Sequence, residues 1–347
     1  MRDVVERVWF GDDFLARAAR IALAPSEVLY RATVGVREAL YDAGVLTTHD
    51  AALPTVSVGN VTVGGTGKTP VAAWIASQLV ERDERPGIVL RGYGEDEPLV
   101  HARLNPTVPV IVAPDRVAGI RMARDAGATV AVLDDAFQHR RVSRAADVVL
   151  VSADKWSSPR LLPAGPWREP LGALRRATII LVTRKAATDA EVDAVNTALS
   201  AAAPRTPRST IRLALAALRR ASVVGDLEAP RPLSEITGRV IRVITAIGDP
   251  RALVRQLQAL GGLVEADAYP DHHHFEPEEI ARFVRSIPSG GLAICTLKDA
   301  VKLADRWPRE APTLWYVSLR VSVERGIGGV EHILDNLLTQ ARDHRQR

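Results

Sequence analysis

Residues 56–71 contain the residue types that hold the phosphates of a nucleotide. An apolar run at 56–58 is followed by a turn with three glycines, by Lys68-Thr69 and by a stretch of helical periodicity. Glycines allow backbone N–H groups to turn inward around phosphate oxygens, and the start of a helix adds unpaired donors. In such loops the lysine contacts the β- and γ-phosphates, and the threonine hydroxyl binds Mg²⁺. The predicted phosphate site consists of Gly64, Gly65, Thr66, Gly67, Lys68 and Thr69.

The first glycine of the general pattern G-x-x-x-x-G-K-[ST] is replaced here by Thr62. An ordinary glycine-rich turn ahead of a helix is therefore the alternative. Strand, loop, Lys-Thr and helix nevertheless follow one another in the required order, and this agreement favours the phosphate site.

Two adjacent carboxylates, Asp134 and Asp135, follow a second apolar run at 129–133. In such a pair one carboxylate orders the Mg²⁺ shell, and the other polarises a nucleophile or a water molecule. Because adjacent carboxylates repel each other, a bound cation relieves the repulsion. Together with Thr69, the pair predicts Mg²⁺ bound with a nucleotide.

Further polar residues follow other predicted strands. Arg91 and Tyr93 lie among glycines after the run 87–90, where they can reach an anionic or sugar-like substrate. The acidic residues 95–97 come next and, taken alone, are interpreted as a solvated turn. Arg168 lies in a loop fixed by prolines and a glycine. It either clamps a phosphate under transfer or forms a surface salt bridge with the glutamate beside it.

The elements that position these residues alternate between strands and helices over 53–215. Strands rich in Val, Ile and Leu predict a parallel sheet buried on both faces, which binds ligands at the carboxyl ends of its strands. The predicted strands lie at 55–58, 87–90, 108–112, 129–133, 147–151 and 178–182, and the helices at 71–81, 116–126 and 189–202.

A second, smaller α/β domain is predicted beyond a proline-rich boundary region at 204–238. Its strands are predicted at 240–247, 292–296 and 313–321, and its helices at 251–260, 277–287, 298–304 and 330–342. One more strand, at 210–214, is predicted inside the boundary region. The predicted organisation is therefore an N-terminal helical segment at 1–48, a P-loop NTPase-like domain at 49–225 and an α/β domain at 226–347.

Residues 1–48 are predicted to form helices broken at Pro25. One interpretation is a helical pair packed on the core, with its arginines in solvent. The other is an amphipathic segment on an anionic membrane, with Trp9, Phe10 and Phe14 as interfacial aromatics. The residues alone favour the packed pair, because Asp12 and Asp13 weaken a polybasic argument.

Three consecutive histidines, 272–274, follow Pro270-Asp271 in the second domain. Neighbours on an extended chain point to opposite faces, so they are poorly placed to ligate one zinc ion. A role for one of them in proton transfer is favoured instead.

The amino-acid composition restricts the classes of protein to which the chain can belong. The chain of 347 residues is 47% hydrophobic and 25% charged, as in soluble globular proteins. Its formal net charge is +4 without a dense Lys/Arg run, which disfavours a nucleic-acid partner. Cys295 is the only cysteine, so intramolecular disulfides are excluded. We expect no secretory leader and no membrane-spanning helix.

Taken together, these motifs resemble the tetraacyldisaccharide 4′-kinase family of lipid A biosynthesis. The resemblance runs from about residue 54 to 302, in family order. It is carried by Gly59-Asn60-Val61-Thr62-Val63-Gly64-Gly65-Thr66-Gly67-Lys68-Thr69-Pro70, Arg91-Gly92-Tyr93-Gly94, Asp96-Glu97-Pro98, Asp134-Asp135-Ala136-Phe137-Gln138-His139-Arg140, Leu162-Pro163-Ala164-Gly165 with Arg168-Glu169, Pro270-Asp271-His272-His273 and Lys298-Asp299-Ala300-Val301-Lys302.

The resemblance implies transfer of the γ-phosphate of ATP to the 4′-hydroxyl of a tetraacylated glucosamine disaccharide 1-phosphate. It implies Asp96 as the base, with His272 assisting it after closure of the two domains. Asp135 is the next base to test if the short connection between Tyr93 and Asp96 draws Asp96 away from the Mg²⁺ site. The implied catalytic residues are Asp96, His272, Lys68 and Arg168, the implied substrate-binding residues are Arg91, Tyr93, Gln138 and His139, and the implied Mg²⁺ ligands are Thr69, Asp134 and Asp135.

The resemblance also implies a peripheral enzyme of the cytoplasmic face of the inner membrane, docked through residues 1–48. This reverses the preference for the packed helical pair. We expect no obligate protein partner. The rival class is a P-loop switch ATPase or GTPase acting through a protein partner. An Asn-Lys-x-Asp guanine signature is missing from the sequence, and a switch needs neither a substrate domain nor a base for a non-water acceptor.

Overall fold

A computed structural model describes residues 2–92, 94–222 and 228–346. They form two compact units whose chain segments interleave. The first unit comprises Met1–Arg91, Val108–Ile211 and Val323–Arg347, and the second comprises Gly92–Thr107 and Arg212–Ser322. The sequence-based segments 1–48, 49–225 and 226–347 are continuous in the chain and stay a prediction of functional parts.

Parallel strands form the sheet of the first unit. The strands are β1 (Thr55–Asn60), β2 (Pro86–Leu90), β3 (Val110–Val112), β4 (Val130–Asp134), β5 (Ala146–Ser152) and β6 (Ile179–Arg184). Their order is β3-β2-β4-β1-β5-β6, and each neighbouring pair is parallel. Both β1 and β4 are buried along their whole length, because helices cover both faces of a parallel sheet. The predicted α/β fold with a parallel sheet is confirmed.

The helices of this unit include α3 (Lys68–Val80), α5 (Arg116–Asp125), α6 (Asp189–Ala202) and α10 (Ile327–Gln346). The first three match the predicted helices to within a few residues. Helix α6 begins with a complete capping box between Thr188 and Glu191. A buried cluster that includes Phe137, Leu174 and Ile180 packs between sheet and helices.

The N-terminal segment differs from its prediction. Helix α1 (Arg2–Phe10) is followed by one continuous helix, α2 (Phe14–Asp42), which runs through Pro25. The predicted break at Pro25 is therefore wrong. A proline removes one helical hydrogen bond, but contacts on both sides of it hold α2 in place: Arg20 donates to the carbonyl of Gly11, and Tyr30 donates to that of Arg168.

The second unit contains β8 (Val240–Thr245), β9 (Leu263–Ala268) and β10 (Leu292–Thr296), and most of β11 (Leu314–Arg325). The order β11-β10-β8-β9 is parallel throughout. The predicted strands and helices of this part are confirmed, including α7 (Pro250–Ala259), α8 (Pro277–Arg285) and α9 (Leu297–Leu303). One long strand, β7 (Arg208–Arg220), has residues in both units.

Among the described residues of the second unit, one strand and one α-helix are missing from the sequence-based prediction. Strand β9 lies at the sheet edge, and its acidic residues Glu265 and Asp267 pair with Arg242 of β8, so its pattern is not apolar. Helix α4 (Asp96–Leu104) begins where we expected a solvated turn. That interpretation is wrong, because the side chain of Asp96 is buried.

Candidate active site

The loop between β1 and α3 has the backbone of a phosphate cradle. Gly64 and Gly67 have φ values of 107° and 93°, in the left-handed region that glycine adopts without strain. Gly67 is the N-cap of α3, whose first residue is Lys68. The unpaired N–H groups of the first turn are therefore available to an anion.

Buried polar residues hold this loop in shape. Asn60, the last residue of β1, donates from Nδ2 to the hydroxyl of Thr66 at 2.9 Å. The backbone carbonyl of Thr66 accepts from the hydroxyl of Thr183 at 3.0 Å, at the end of β6. The loop is thus fixed from two strands before any ligand binds, which lowers the ordering cost of binding.

Lys185 is a contact that sequence reasoning missed. Its Nζ donates to the carbonyl of Gly65 at 2.8 Å, and its backbone N–H donates to Asp154 at 2.7 Å. Both residues follow strands, Asp154 after β5 and Lys185 after β6, at the sheet edge that carries the phosphate loop. The sequence signal that could have identified Asp154 and Lys185 is their position directly after buried parallel strands, where such sheets bind ligands.

Asp135 lies at the centre of a charge cluster. Its carboxylate is 3.2 Å from Nη1 of Arg168 and 3.8 Å from Nζ of Lys68. Its φ of 50° is left-handed, a conformation that is strained for residues with a side chain and that clusters at functional sites. Asp134, the last residue of β4, is buried beside it. Of the predicted site residues in the first unit, Lys68 and Arg168 therefore both lie in contact with Asp135.

The donor set of Thr69, Asp134 and Asp135 fits Mg²⁺, because a hydroxyl and two carboxylates supply only hard oxygen atoms. Within the described residues, no three His, Cys, Asp or Glu side chains are grouped to hold a metal ion by themselves. Mg²⁺ in nucleotide sites keeps several waters and takes further oxygens from the phosphates, so a small protein donor set suffices.

Arg168 is held by its backbone on both sides. Its N–H donates to the carbonyl of Val61 at 2.7 Å, and its own carbonyl accepts from the hydroxyl of Tyr30 at 3.0 Å. The surface salt bridge that we weighed for Arg168 is not formed with Glu169, which pairs with Arg176 at 2.8 Å. The guanidinium of Arg168 is left to face Asp135.

Helix α2 also holds the rest of this loop. The buried carboxylate of Glu27 accepts from the backbone N–H of Leu161 at 2.9 Å. The indole of Trp9 in α1 donates to the carbonyl of Pro163 at 2.9 Å. The N-terminal helices therefore position the segment 161–168 that displays Arg168.

The four proposed substrate-binding residues do not form a single cluster among the described residues. Gln138 donates from Nε2 to the carbonyl of Asn60 at 2.9 Å, so it lies against the phosphate-loop strand. Burial and the nearby arginine charges lower the pKa of His139 to about 4, so this ring is neutral at physiological pH. Arg91 is exposed after β2, and Tyr93 lies outside the described residues.

The second unit carries a separate polar cluster. Nδ1 of His272 is 3.0 Å from Oδ1 of Asp96, the first residue of α4. The Asp96 side chain is 2% exposed and that of His272 is 36% exposed, so the pair is accessible from the imidazole side. His272 has a left-handed φ of 62°. Its neighbour His273 pairs with Glu279 instead, at 2.8 Å.

Two lysines of α9 complete this cluster, and sequence reasoning gave neither a role. Nζ of Lys298 and Nζ of Lys302 lie 3.8 and 3.7 Å from Oδ2 of Asp96. The signal was present in the spacing, because residues four apart lie on one face of a helix. The sequence does not reveal that α9 packs against α4, which brings this face next to Asp96.

These neighbours decide the charge of Asp96. Burial by itself would raise the pKa of this carboxyl group. The hydrogen bond from His272 and the charges of Lys298 and Lys302 outweigh burial and hold its pKa below the usual range. The carboxylate is therefore ionised at neutral pH, as a proton acceptor must be.

Comparisons with known proteins identify a family for the chain. The sequence profile of the family described as tetraacyldisaccharide-1-P 4′-kinase matches residues 19–339. The tetraacyldisaccharide 4′-kinase of Anaeromyxobacter sp. (strain Fw109-5) is 35% identical, over 96% of this chain and 95% of its own length. That of Halorhodospira halophila is 35% identical, over 92% of both chains.

Among solved structures, the "apo" form of LpxK from Aquifex aeolicus in complex with ATP superposes with a TM-score of 0.70. It is 26% identical, and the match covers 92% of this chain and 99% of that one. The profile spans most of the sequence, and the relatives match nearly their whole length. The chain therefore belongs to the tetraacyldisaccharide-1-P 4′-kinase family.

Proposed function

We propose that the chain transfers the γ-phosphate of ATP to the 4′-hydroxyl of a tetraacylated glucosamine disaccharide 1-phosphate. Family membership and the ATP bound to the Aquifex aeolicus relative support this pair of substrates. The observation that carries the proposal is the presence, in one chain, of a phosphate loop and a carboxylate–imidazole pair. A switch ATPase or GTPase has no use for the pair, because it transfers phosphate to water.

In this proposal the phosphate loop binds the β- and γ-phosphates. The positively charged side chains of Lys68 and Arg168 stabilise the charge that develops during transfer. Lys68 and Arg168 face Asp135 in the ligand-free chain. We infer that phosphate oxygens replace this carboxylate as their partner when ATP binds. The side chains of Lys68 and Arg168 are thus held at the phosphate site before ATP binds, so they need little reorganisation during the transfer step.

The proton of the acceptor hydroxyl goes to the Asp96–His272 pair. The O–H bond of the 4′-hydroxyl breaks as its oxygen forms a bond to the γ-phosphorus. The bond from that phosphorus to the bridging oxygen breaks, and ADP leaves. Asp96 is the candidate acceptor of the proton, and His272 orients the carboxylate through Nδ1.

Thr69, Asp134 and Asp135 would hold Mg²⁺. The metal, when bound, neutralises phosphate charge and orients the phosphate oxygens. Asp135 contacts Arg168 and Lys68 in the ligand-free chain, and its carboxylate is left to the metal once phosphate oxygens replace it as their partner. The fit of these oxygen donors to a hard cation supports this part of the proposal.

The proposal is tested by an acceptor-dependent turnover assay. The enzyme is incubated with ATP and Mg²⁺, with or without the tetraacylated disaccharide 1-phosphate, and ADP and phosphorylated lipid are both measured. We expect ADP to be released in equal amount with the phosphorylated lipid and to be nearly missing without acceptor. Rapid ATP or GTP hydrolysis without the lipid would support the switch class instead.

We also propose that α2 docks the enzyme on the cytoplasmic face of the inner membrane. No helix in the part of the chain that the structure describes has both the length and the apolarity to span a bilayer. Helix α2 instead packs inward with small and polar residues such as Ala16 and Glu27, and exposes its large apolar ones. Phe14, Ile21 and Val28 recur every seven residues on this outer face and are 82, 73 and 65% exposed.

An apolar helix face of this kind is typical of interfacial docking, with the exposed Arg17 beside it as a contact for anionic headgroups. We therefore expect the triple variant Phe14→Ser, Ile21→Ser, Val28→Ser to bind vesicles of anionic phospholipid about tenfold more weakly or worse. Flotation of the protein with the vesicles measures this. Equal flotation of wild type and variant would place the docking surface elsewhere.

A matched control removes the same number of exposed apolar side chains elsewhere. Val112, Met122 and Leu263 are 47, 51 and 63% exposed and lie outside the N-terminal helices. Their combined replacement by serine should leave flotation unchanged. Near-UV circular dichroism of both triple variants checks that the fold is retained.

A further inference from the structure

The ammonium group of Lys298 contacts three members of the cluster in the second unit. Its Nζ is 2.9 Å from Oδ1 of Asp271 and 3.2 Å from Nε2 of His272. It is also 3.8 Å from Oδ2 of Asp96. Lys298 therefore contacts the ring nitrogen of His272 that Asp96 does not contact.

Hydrogen-bond chemistry restricts how these contacts are made. An ammonium group has three N–H donors and no lone pair, so it bonds to Nε2 only when that nitrogen carries no proton. Nδ1 faces an ionised carboxylate, which only accepts. Both contacts are satisfied together by one state of His272, the neutral ring with its proton on Nδ1.

We propose that Lys298 is a positioning residue that holds His272 in the Nδ1–H tautomer. In this tautomer the imidazole donates to Oδ1 of Asp96 and so fixes the orientation of the carboxylate that receives the acceptor proton. The proposal rests on the proposed role of the Asp96–His272 pair as the base. A doubly protonated ring would instead direct an N–H group at the ammonium 3.2 Å away.

The charges around the ring come from three elements. Asp96 and Glu97 belong to α4, Lys298, Asp299 and Lys302 belong to α9, and Asp271 and His273 belong to the loop of His272 itself. The hydrogen bond to Asp96 raises the pKa of His272, and burial and the charge of Lys298 oppose this rise. Removal of the Lys298 charge should therefore raise the pKa of His272 and favour the doubly protonated ring.

Lys302 offers a matched control. It lies as close to Asp96 as Lys298 does, at 3.7 against 3.8 Å, but its Nζ donates to the backbone carbonyl of His273 and not to the imidazole of His272. Lys298→Met and Lys302→Met therefore remove the same charge from beside Asp96. Only the first removes the donor to Nε2.

The tautomer is read directly by ¹⁵N NMR of the full-length enzyme labelled at histidine, without substrate. His272→Gln assigns the signal among the eight histidines. Above the pKa of His272, we expect a protonated Nδ1 and an unprotonated Nε2 in wild type and in Lys302→Met. In Lys298→Met we expect a mixture of tautomers and a higher pKa of His272.

Lys298→Gln separates hydrogen bonding from charge, because its amide donates to Nε2 without a positive charge. It should keep the Nδ1–H tautomer while raising the pKa of His272, and it serves as the second variant if Lys298→Met does not fold. An unchanged tautomer in Lys298→Met, or an equal loss of it in Lys302→Met, would overturn the proposal.

Kinetics give a readout that a merely structural role would not change. In Lys298→Met the acidic limb of the kcat–pH profile should move to higher pH, and kcat at the wild-type optimum should fall about tenfold or more. Lys298→Arg, which keeps the charge, should restore the position of the limb. The NMR result needs no turnover, so a chain that is not the proposed kinase would still reveal the tautomer.

Discussion

Replacement of Asp96 or His272 should lower kcat by about 10²- to 10⁴-fold, the usual contribution of a positioned base. A sugar hydroxyl is a weak nucleophile until its proton is removed. The two residues share a 3.0 Å contact, so each depends on the other for its charge and orientation. We expect Asp96→Asn and His272→Ala to change the apparent ATP constant little, because the phosphate loop belongs to the other unit.

The double variant separates a working pair from two independent residues. If Asp96 and His272 act as a unit, their combined loss should be scarcely worse than the larger single loss. Losses in kcat that multiply would show independent action. An active Asp96→Asn enzyme would exclude Asp96 as the base, and Asp135 would be tested next. Asp305→Asn, exposed on the same unit, is the matched control and should retain full turnover.

The acidic side of the pH profile follows from the same contacts. The pKa of Asp96 is lowered and that of His272 is raised relative to their ordinary values. As pH falls through the pKa of His272 the ring gains its second proton, and as it falls further Asp96 is protonated. Proton transfer to the pair therefore fails on the acidic side, and kcat should fall there in wild type.

Lys68→Ala should lower kcat by about 10²- to 10³-fold, the effect of removing one group that stabilises charge in the transition state. Binding of ATP should weaken much less, since the backbone N–H groups of the loop and of α3 remain. Single-turnover kinetics with a separate measurement of nucleotide affinity distinguish the two effects.

The control for this variant is another lysine of the same unit. Lys155 is 3.9 Å from Glu6 and lies outside the phosphate loop, so Lys155→Ala should keep kcat near wild type. Turnover of Lys68→Ala at the wild-type rate would refute the assignment of residues 64–69 as the phosphate site.

The phosphate loop was predictable because its signals are contiguous in the chain. Strand, glycines, Lys68-Thr69 and helix follow within one stretch, and local physics determines each of them. The parallel sheet was predictable for a similar reason, because strands buried on both faces are apolar throughout. The edge strand β9 was not predicted, because it is largely exposed and therefore has no continuous apolar run.

The rest of the site depends on packing between distant segments. Asp96 and His272 are separated by 176 positions, and only the family resemblance joined them. The spacing of Lys298 and Lys302 places both on one helix face, but only the packing of α9 against α4 shows that this face meets Asp96. The continuous helix through Pro25 is a similar case, because tertiary hydrogen bonds override the local preference of proline for a helix end.

Helix α2 makes structural contacts on its inner face and, in our proposal, contacts lipid with its exposed outer face. The inner face holds the loop of Arg168 through Glu27 and Tyr30. A foreign anchor grafted in place of α2 would restore lipid affinity but leave the Leu161 N–H without its acceptor. If the outer face contacts lipid as proposed, its residues are free to change with the composition of the membrane, while the inner ones must change together with residues 161–168.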